Sequence, residues 1–228
     1  MTMRTGTALP ADRIPASPPG EDLCASGRFT SVMRVAKLIG STGEFVCVVC
    51  EISTTELKLR LFHPLPGEAR FALELPNGDC YFIEKVWERD REAGFRFSTP
   101  IEIRAFIHEA TPYAKRQIRL RTALAATVSA ADSIGEAAIR DLSQEGARIE
   151  SNLPLGKFQR IRIDAEAFPL PIFASVHWTS QLEFGVLFQR AFKLEELAGI
   201  AWALHDPADL GAARPRRFEV VRTTSQGA

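Results

Sequence analysis

No apolar run in this sequence reaches the roughly 20 residues of a membrane-spanning helix before a charge breaks it, so no membrane insertion is expected. An excess of one charge sign is also missing. Lys plus Arg number 28 and Asp plus Glu 28, so nothing in the overall balance points to nucleic acid. An anion site must therefore be local. The opening segment MTMRTGTALPADRIPASPPGED has no apolar signal-peptide core and reads as a loose, Pro-rich tail; a cytoplasmic location is expected. Hydrophobic residues make up 46%, enough for a folded core.

Signatures of catalysis and metal binding are scarce as well. His63, His108, His177 and His205 are scattered, with no pair at ligand spacing on one element. There is no G-x-S-x-G, no Walker loop and no H-E-x-x-H, and Ser143 has no His near it in sequence. Neither an enzyme nor a bound cofactor is expected, and no residue is assigned a catalytic role. Cys24, Cys47, Cys50 and Cys80 all fall in the N-terminal half, with Cys47 and Cys50 as a C-x-x-C pair. Half of a zinc site can look like this. The surroundings FVCVVCEIS, however, read as a strand, on which residues three apart face opposite ways and cannot clasp one ion. Small buried side chains and no metal are expected.

What the sequence does contain is a repeat. EISTTELKLRLFHPLPGEARFALEL, from Glu51, aligns with DLSQEGARIESNLPLGKFQRIRIDA, from Asp141, at an offset of 90 residues. Ser53 falls on Ser143 and Pro64 on Pro154. One residue inserted after the Pro-containing turn makes the offset 91, and Trp87 then falls on Trp178, Gly94 on Gly185 and Phe97 on Phe188. Both copies show short apolar or alternating runs between Gly, Pro, Asn or charged turns, the pattern of an antiparallel barrel or sandwich. Each copy ends in a helical pattern: PIEIRAFIHEA after the first, and AFKLEELAGIAWAL after the second, with Phe192, Leu194, Leu197, Ile200, Ala201 and Leu204 near one face. Trp87 and Trp178 are read as core residues of equivalent strands. His177 and Trp178, as neighbours on a strand, are expected to point to opposite sides.

Within the second copy, AKRQIRLRTALAATV is followed about twenty residues later by IRDLSQEGARIE. Asp141-Leu-Ser143-Gln-Glu-Gly146 is a complete D-x-S-x-x-G element, continued by Ala147-Arg148-Ile149 and later by VHW…FGVLF. An R-x-x-x-R element ahead of it is present only as Lys115-x-x-x-Arg119, with Arg116 and Arg121 adjacent. These residues resemble the PilZ family, bacterial domains many of which bind the second messenger cyclic di-GMP. The resemblance covers residues 113–205 directly and 27–107 through the repeat. It implies a mainly β fold of two tandem six-stranded antiparallel PilZ-like β-barrels, each followed by a helix. The divisions expected are a disordered tail over 1–25, a degenerate barrel over 26–109, a barrel carrying D-x-S-x-x-G over 112–205, and a disordered tail over 206–228.

The resemblance also implies cyclic di-GMP as the ligand, held at Lys115, Arg116, Arg119, Asp141, Ser143 and Gly146. Guanine offers O6 and N7 to an Arg fork, and phosphates take charge-assisted bonds from the same groups. The same stretch also suits a plain hairpin end, with Asp and Ser bonding local amides and Gly at positive φ, and the arginines suit a solvated edge strand. The first copy reads Glu51-Ile-Ser53-Thr-Thr-Glu56, with Glu where the pattern has Gly, and only Arg28 and Arg34, six apart, ahead of it. It is expected not to bind the nucleotide. The function expected is a tandem-PilZ receptor acting on an unknown protein partner; the alternative is an interaction module that has lost nucleotide binding.

Overall fold

A computed structural model describes residues 29–108 and 117–204 and the backbone of 220–222. Lys115 and Arg116 lie outside the described residues, as does Arg28. The chain forms two successive antiparallel barrels. The first comprises β1 (Thr30–Ile39), β2 (Glu44–Ile52), β3 (Glu56–Leu61), β4 (Arg70–Glu74), β5 (Cys80–Arg89) and β6 (Glu92–Phe97). Its closed order is β1-β2-β3-β6-β5-β4, so two three-stranded meanders are stitched together along β3–β6 and β1–β4. A single helical turn, α1 (Ile103–Ile107), follows and buries Phe106.

The second barrel repeats that wiring with β7 (Leu120–Ala130), β8 (Ser133–Leu142), β9 (Gly146–Ser151), β10 (Arg160–Asp164), β11 (Ile172–Ser180) and β12 (Glu183–Phe188). Helix α2 (Leu194–Ala203) closes it, burying Leu197, Ala198, Ile200 and Ala201. Glu196 reaches back to accept the Lys193 N–H at 2.7 Å, satisfying one of the orphan donors of the helix start. The two six-stranded barrels with a helix after each agree with the expected fold. A short strand, β13 (Val220–Arg222), pairs with Ser133–Gly135 of β8, within the tail over 206–228 whose Pro, Gly and Arg content suggests disorder. Composition reports whether a segment can build its own core, not whether it can lengthen an existing sheet.

The repeat extends to irregularities that no hydrophobic pattern encodes. Register shifts fall at Ser31/Arg34 and Arg121/Leu124, at Val49/Glu51 and Ile139/Asp141, and at Lys85/Trp87 and Val176/Trp178. Each bulge sharpens the local twist at a place where a six-stranded sheet must curl to close. The left-handed residues Asp90 (φ 55°) and Gln181 (φ 54°) turn the equivalent hairpins β5–β6 and β11–β12.

Strand β2 has a second task. Phe45, Cys47 and Val49 belong to the core of the first barrel, whereas Val46 belongs to the hydrophobic cluster of the second. The run FVCVVC is continuous rather than alternating because β2 is covered on both faces. Cys47 is fully buried and donates to the Ala36 carbonyl at 3.5 Å; burial, with the Cys50 thiol adding to it, pushes its pKa up. Cys50 is half-buried beside the bulge. Trp202 of α2 packs on Phe45 (ring centroids 6.2 Å apart) and stacks on His63 (5.3 Å).

Each barrel thus has a buried cluster largely its own. A fragment spanning residues 112–205 is expected to fold alone, with a β-rich spectrum and cooperative unfolding. A molten or aggregated fragment alongside a well-folded full chain contradicts this.

Candidate functional site

The D-x-S-x-x-G element forms the β8–β9 hairpin. Ser143 donates its N–H to the Gly146 carbonyl at 2.8 Å, and its hydroxyl donates to the same oxygen at 3.0 Å. Ser53 makes the same pair of bonds to the Glu56 carbonyl, at 2.8 and 3.2 Å. Both serines are buried. The residues at each hairpin tip then strap the chain that follows the barrel: Glu145 and Gln144 carbonyls accept from Phe188 and Phe192, as Thr55 and Thr54 carbonyls accept from Phe97 and Ile101. Serine is shared by the two copies because it holds the hairpin in both.

Gly146 is required by packing. A Cβ there would collide with the carbonyl oxygen of Val186 on β12. Its φ is not positive, so the left-handed glycine of the plain-hairpin alternative is not what selects it. In the first copy the position is Glu56, whose carboxylate pairs with Arg96 at 3.6 Å.

Asp141 lies beside two arginines. Arg148 Nε donates to Asp141 Oδ2 at 2.6 Å, and Arg148 Nη1 to Glu183 Oε1 at 2.7 Å, linking β8, β9 and β12. These bonds, that to Asp141 first, hold the guanidinium above its usual pKa. Arg119 Nη1 donates to the other Asp141 oxygen at 3.3 Å, with its side chain 66% exposed. An exposed pair of this length contributes little and exchanges readily for another anion. The first barrel preserves the three-strand arrangement as Glu51–Lys58–Glu92, at 3.6 and 3.2 Å. Arg148 escaped the candidate set although the hairpin signals it: counting outward from Ser143 and Gly146, Asp141 stands opposite Arg148.

The bulge at Val176/Trp178 turns both His177 and Trp178 outward, so neither the expected alternation nor the expected burial of Trp178 holds. Trp178 is 38% exposed and its indole lies across Gly185 on β12, as Trp87, half-buried, lies across Gly94. The Trp–Gly pairing in each copy is therefore a cross-strand cover over a bare backbone.

These pieces border one groove of about 640 Å³. Arg119, Ser143, Gly146, His177 and Trp178 line its side formed by the second barrel, and Glu74–Gly78, at the β4–β5 turn, line the other. The volume lies in the range of small-molecule sites. Of the six expected site residues, Arg119, Ser143 and Gly146 border the groove, Asp141 touches it through Arg119, and Lys115 and Arg116 are outside the described residues. Nothing in the sequence signalled the contribution of the first barrel. Among the described residues no three His, Cys, Asp or Glu side chains gather as a metal site, and no helix is long and apolar enough to cross a membrane.

Residues 114–198 match the family model of the PilZ domain. No curated protein matches the chain. Among solved structures, the chain is similar to the Borreliella burgdorferi PlzA protein in complex with c-di-GMP, at 11% identity and a TM-score of 0.31, over 79% of this chain and 94% of that one. The Bacillus subtilis inhibitor of motility, MotI, gives 11% identity and a TM-score of 0.33, over 80% and 99%. Escherichia coli YcgR in complex with c-di-GMP gives 12% and 0.29, over 79% and 87%.

The shared serine bonds predict parallel losses. Ser53→Ala and Ser143→Ala should each destabilise their barrel by about 1–3 kcal/mol, the cost of stranding a buried partner, measured by denaturant unfolding. An effect confined to one of them contradicts a common structural role.

Proposed function

We propose that this chain, whose second barrel is a PilZ domain, is a cytoplasmic receptor for cyclic di-GMP that binds the nucleotide in the groove between Arg119 and the β4–β5 turn and passes the signal to a protein partner. The observation that carries this reading is that one groove of small-molecule size gathers an exposed Arg with the D-x-S-x-x-G hairpin of a PilZ domain. An Arg fork suits both the guanine O6/N7 edge and a phosphate, and Arg119 is held only by a weak exposed pair to Asp141. Lys115 and Arg116 supply further cations immediately upstream. Trp178 and His177 offer flat rings to a base. Asp141, neutralised by Arg148, stays ready to receive a guanine N–H when Arg119 turns to the ligand. Such a protein reads a signal through binding and has no need of catalytic groups.

The first barrel is proposed to leave its own hairpin empty. Lys58 is engaged by Glu51 and Glu92, Glu56 occupies the glycine position, and Arg34 donates to the Phe106 carbonyl and lies over its ring. Titration of the full chain with labelled cyclic di-GMP tests both halves of the reading. Arg119→Ala should weaken binding about 10- to 150-fold, the equivalent of losing charge-assisted bonds worth about 1.5–3 kcal/mol. Asp141→Ala and Ser143→Ala should weaken it too, whereas changes at Glu51 or Ser53 should not. Lys115→Arg should tighten it by restoring a bidentate fork. If wild type and Lys115→Arg both ignore the nucleotide at high micromolar concentration, the interaction-module reading replaces this one.

A further inference from the structure

Lys37 is a charged side chain buried at 2% relative exposure, on the outward side of β1 where the second barrel covers it. An ammonium carries three donors and tolerates burial only when acceptors meet them. Three oxygens do: Glu44 Oε2 at 3.2 Å, Glu74 Oε1 at 3.2 Å and the Arg119 backbone carbonyl at 3.0 Å. Glu44 Oε2 in turn accepts the backbone N–H of Arg121 at 2.7 Å. Two charged groups of the first barrel therefore hold the backbone on both sides of Leu120, at the Arg119 carbonyl and the Arg121 N–H, where β7 begins. Glu74, the third member, starts the turn that forms the opposite side of the groove. The repeat supplies no equivalent, since Thr127 occupies the corresponding position of the second barrel.

We infer that Lys37 is a positioning residue for the groove: it seats Arg119 from below and anchors the facing turn through Glu74, so that ligand binding by the second barrel depends on the first. This inference rests on the receptor reading above. Arg119 directs its guanidinium into the groove only if its own backbone is fixed, and sheet pairing starts one residue later, at Leu120. Without the ammonium, Glu44 and Glu74 are left as unpaired carboxylates at an interface. Glu44 then favours solvent over the Arg121 amide, and Arg119 loses its seat.

The test uses the full chain and two measurements. Amide hydrogen exchange of the unliganded protein follows Arg121 and its neighbours, and titration with cyclic di-GMP follows the groove. Lys37→Met should speed exchange at Arg121 and weaken binding about tenfold, a coupling typical of residues that share partners. In an Arg119→Ala background Lys37→Met should cause a clearly smaller further loss, the part carried by the Glu74 turn, because the side chain it seats is gone. An equal loss in both backgrounds overturns the positioning role and leaves repulsion by Glu74 as the cause. Unchanged exchange at Arg121, or unchanged binding by Lys37→Met, overturns it too. Should Lys37→Met fail to fold, Glu44→Gln, which keeps the size and weakens the acceptor, must reproduce both effects. Wild type that ignores the nucleotide overturns the receptor reading instead, and the seat at Arg119 then stands or falls on the exchange result.

Discussion

Val46 and Cys47 are neighbours on β2, yet their side chains enter two different cores. The relation between the barrels depends on this division. Inward, β2 completes the first barrel; outward, it meets the second through Val46, beside the buried Lys37, and at its start Phe45 packs on Trp202 of α2. Hydrophobic burial on that face supplies the non-directional attraction, and the Lys37 acceptor set supplies the direction. A buried charge is costly when misplaced, so it penalises other ways of docking the two barrels. Once they are docked in this manner, the β4–β5 turn faces the β8–β9 hairpin and the groove exists.

The two copies keep the same mechanics and differ in chemistry. Both retain the serine that closes the hairpin, the acid–base–acid line across three strands, the bulges and the tryptophan laid over glycine. These are the conditions for closing a small barrel with few residues per strand. The second copy adds Arg148 in place of Lys58, a fork in place of a point charge, which can hold Asp141 and Glu183 together with directed bonds. It also exposes Arg119, at whose repeat position the first copy has Phe29, while the first copy's Arg34 lies over the Phe106 ring. In the proposed receptor, one barrel offers charge to the ligand and the other supports it.

Much of this was legible in the sequence because repeats and alternation are local. The offset of 90 and then 91 residues matched the two copies from the serine hairpin onward, and D-x-S-x-x-G located the hairpin. The failures share one physical origin. Alternation predicts which way a side chain points only while the register is regular, and the Val176/Trp178 bulge turned His177 and Trp178 to the same side. The continuous apolar run of β2 was read as a strand, but an apolar run does not say what covers its second face. Lys37 carried no signal at all: one lysine among 28 basic residues acquires its meaning only from three oxygens brought to it by the fold. Arg148 was legible in principle, through hairpin counting, and its role follows from standing opposite Asp141.

The most direct test of the account is a crystal structure of the full chain grown with cyclic di-GMP. The account predicts the nucleotide between Arg119 and the Leu75–Gly78 turn, with the Arg119 guanidinium moved from Asp141 to a phosphate or guanine edge and the Lys37 contact to the Arg119 carbonyl retained. Nucleotide bound at the first barrel's Ser53–Glu56 hairpin, or bound to the second barrel with the two barrels undocked, contradicts it.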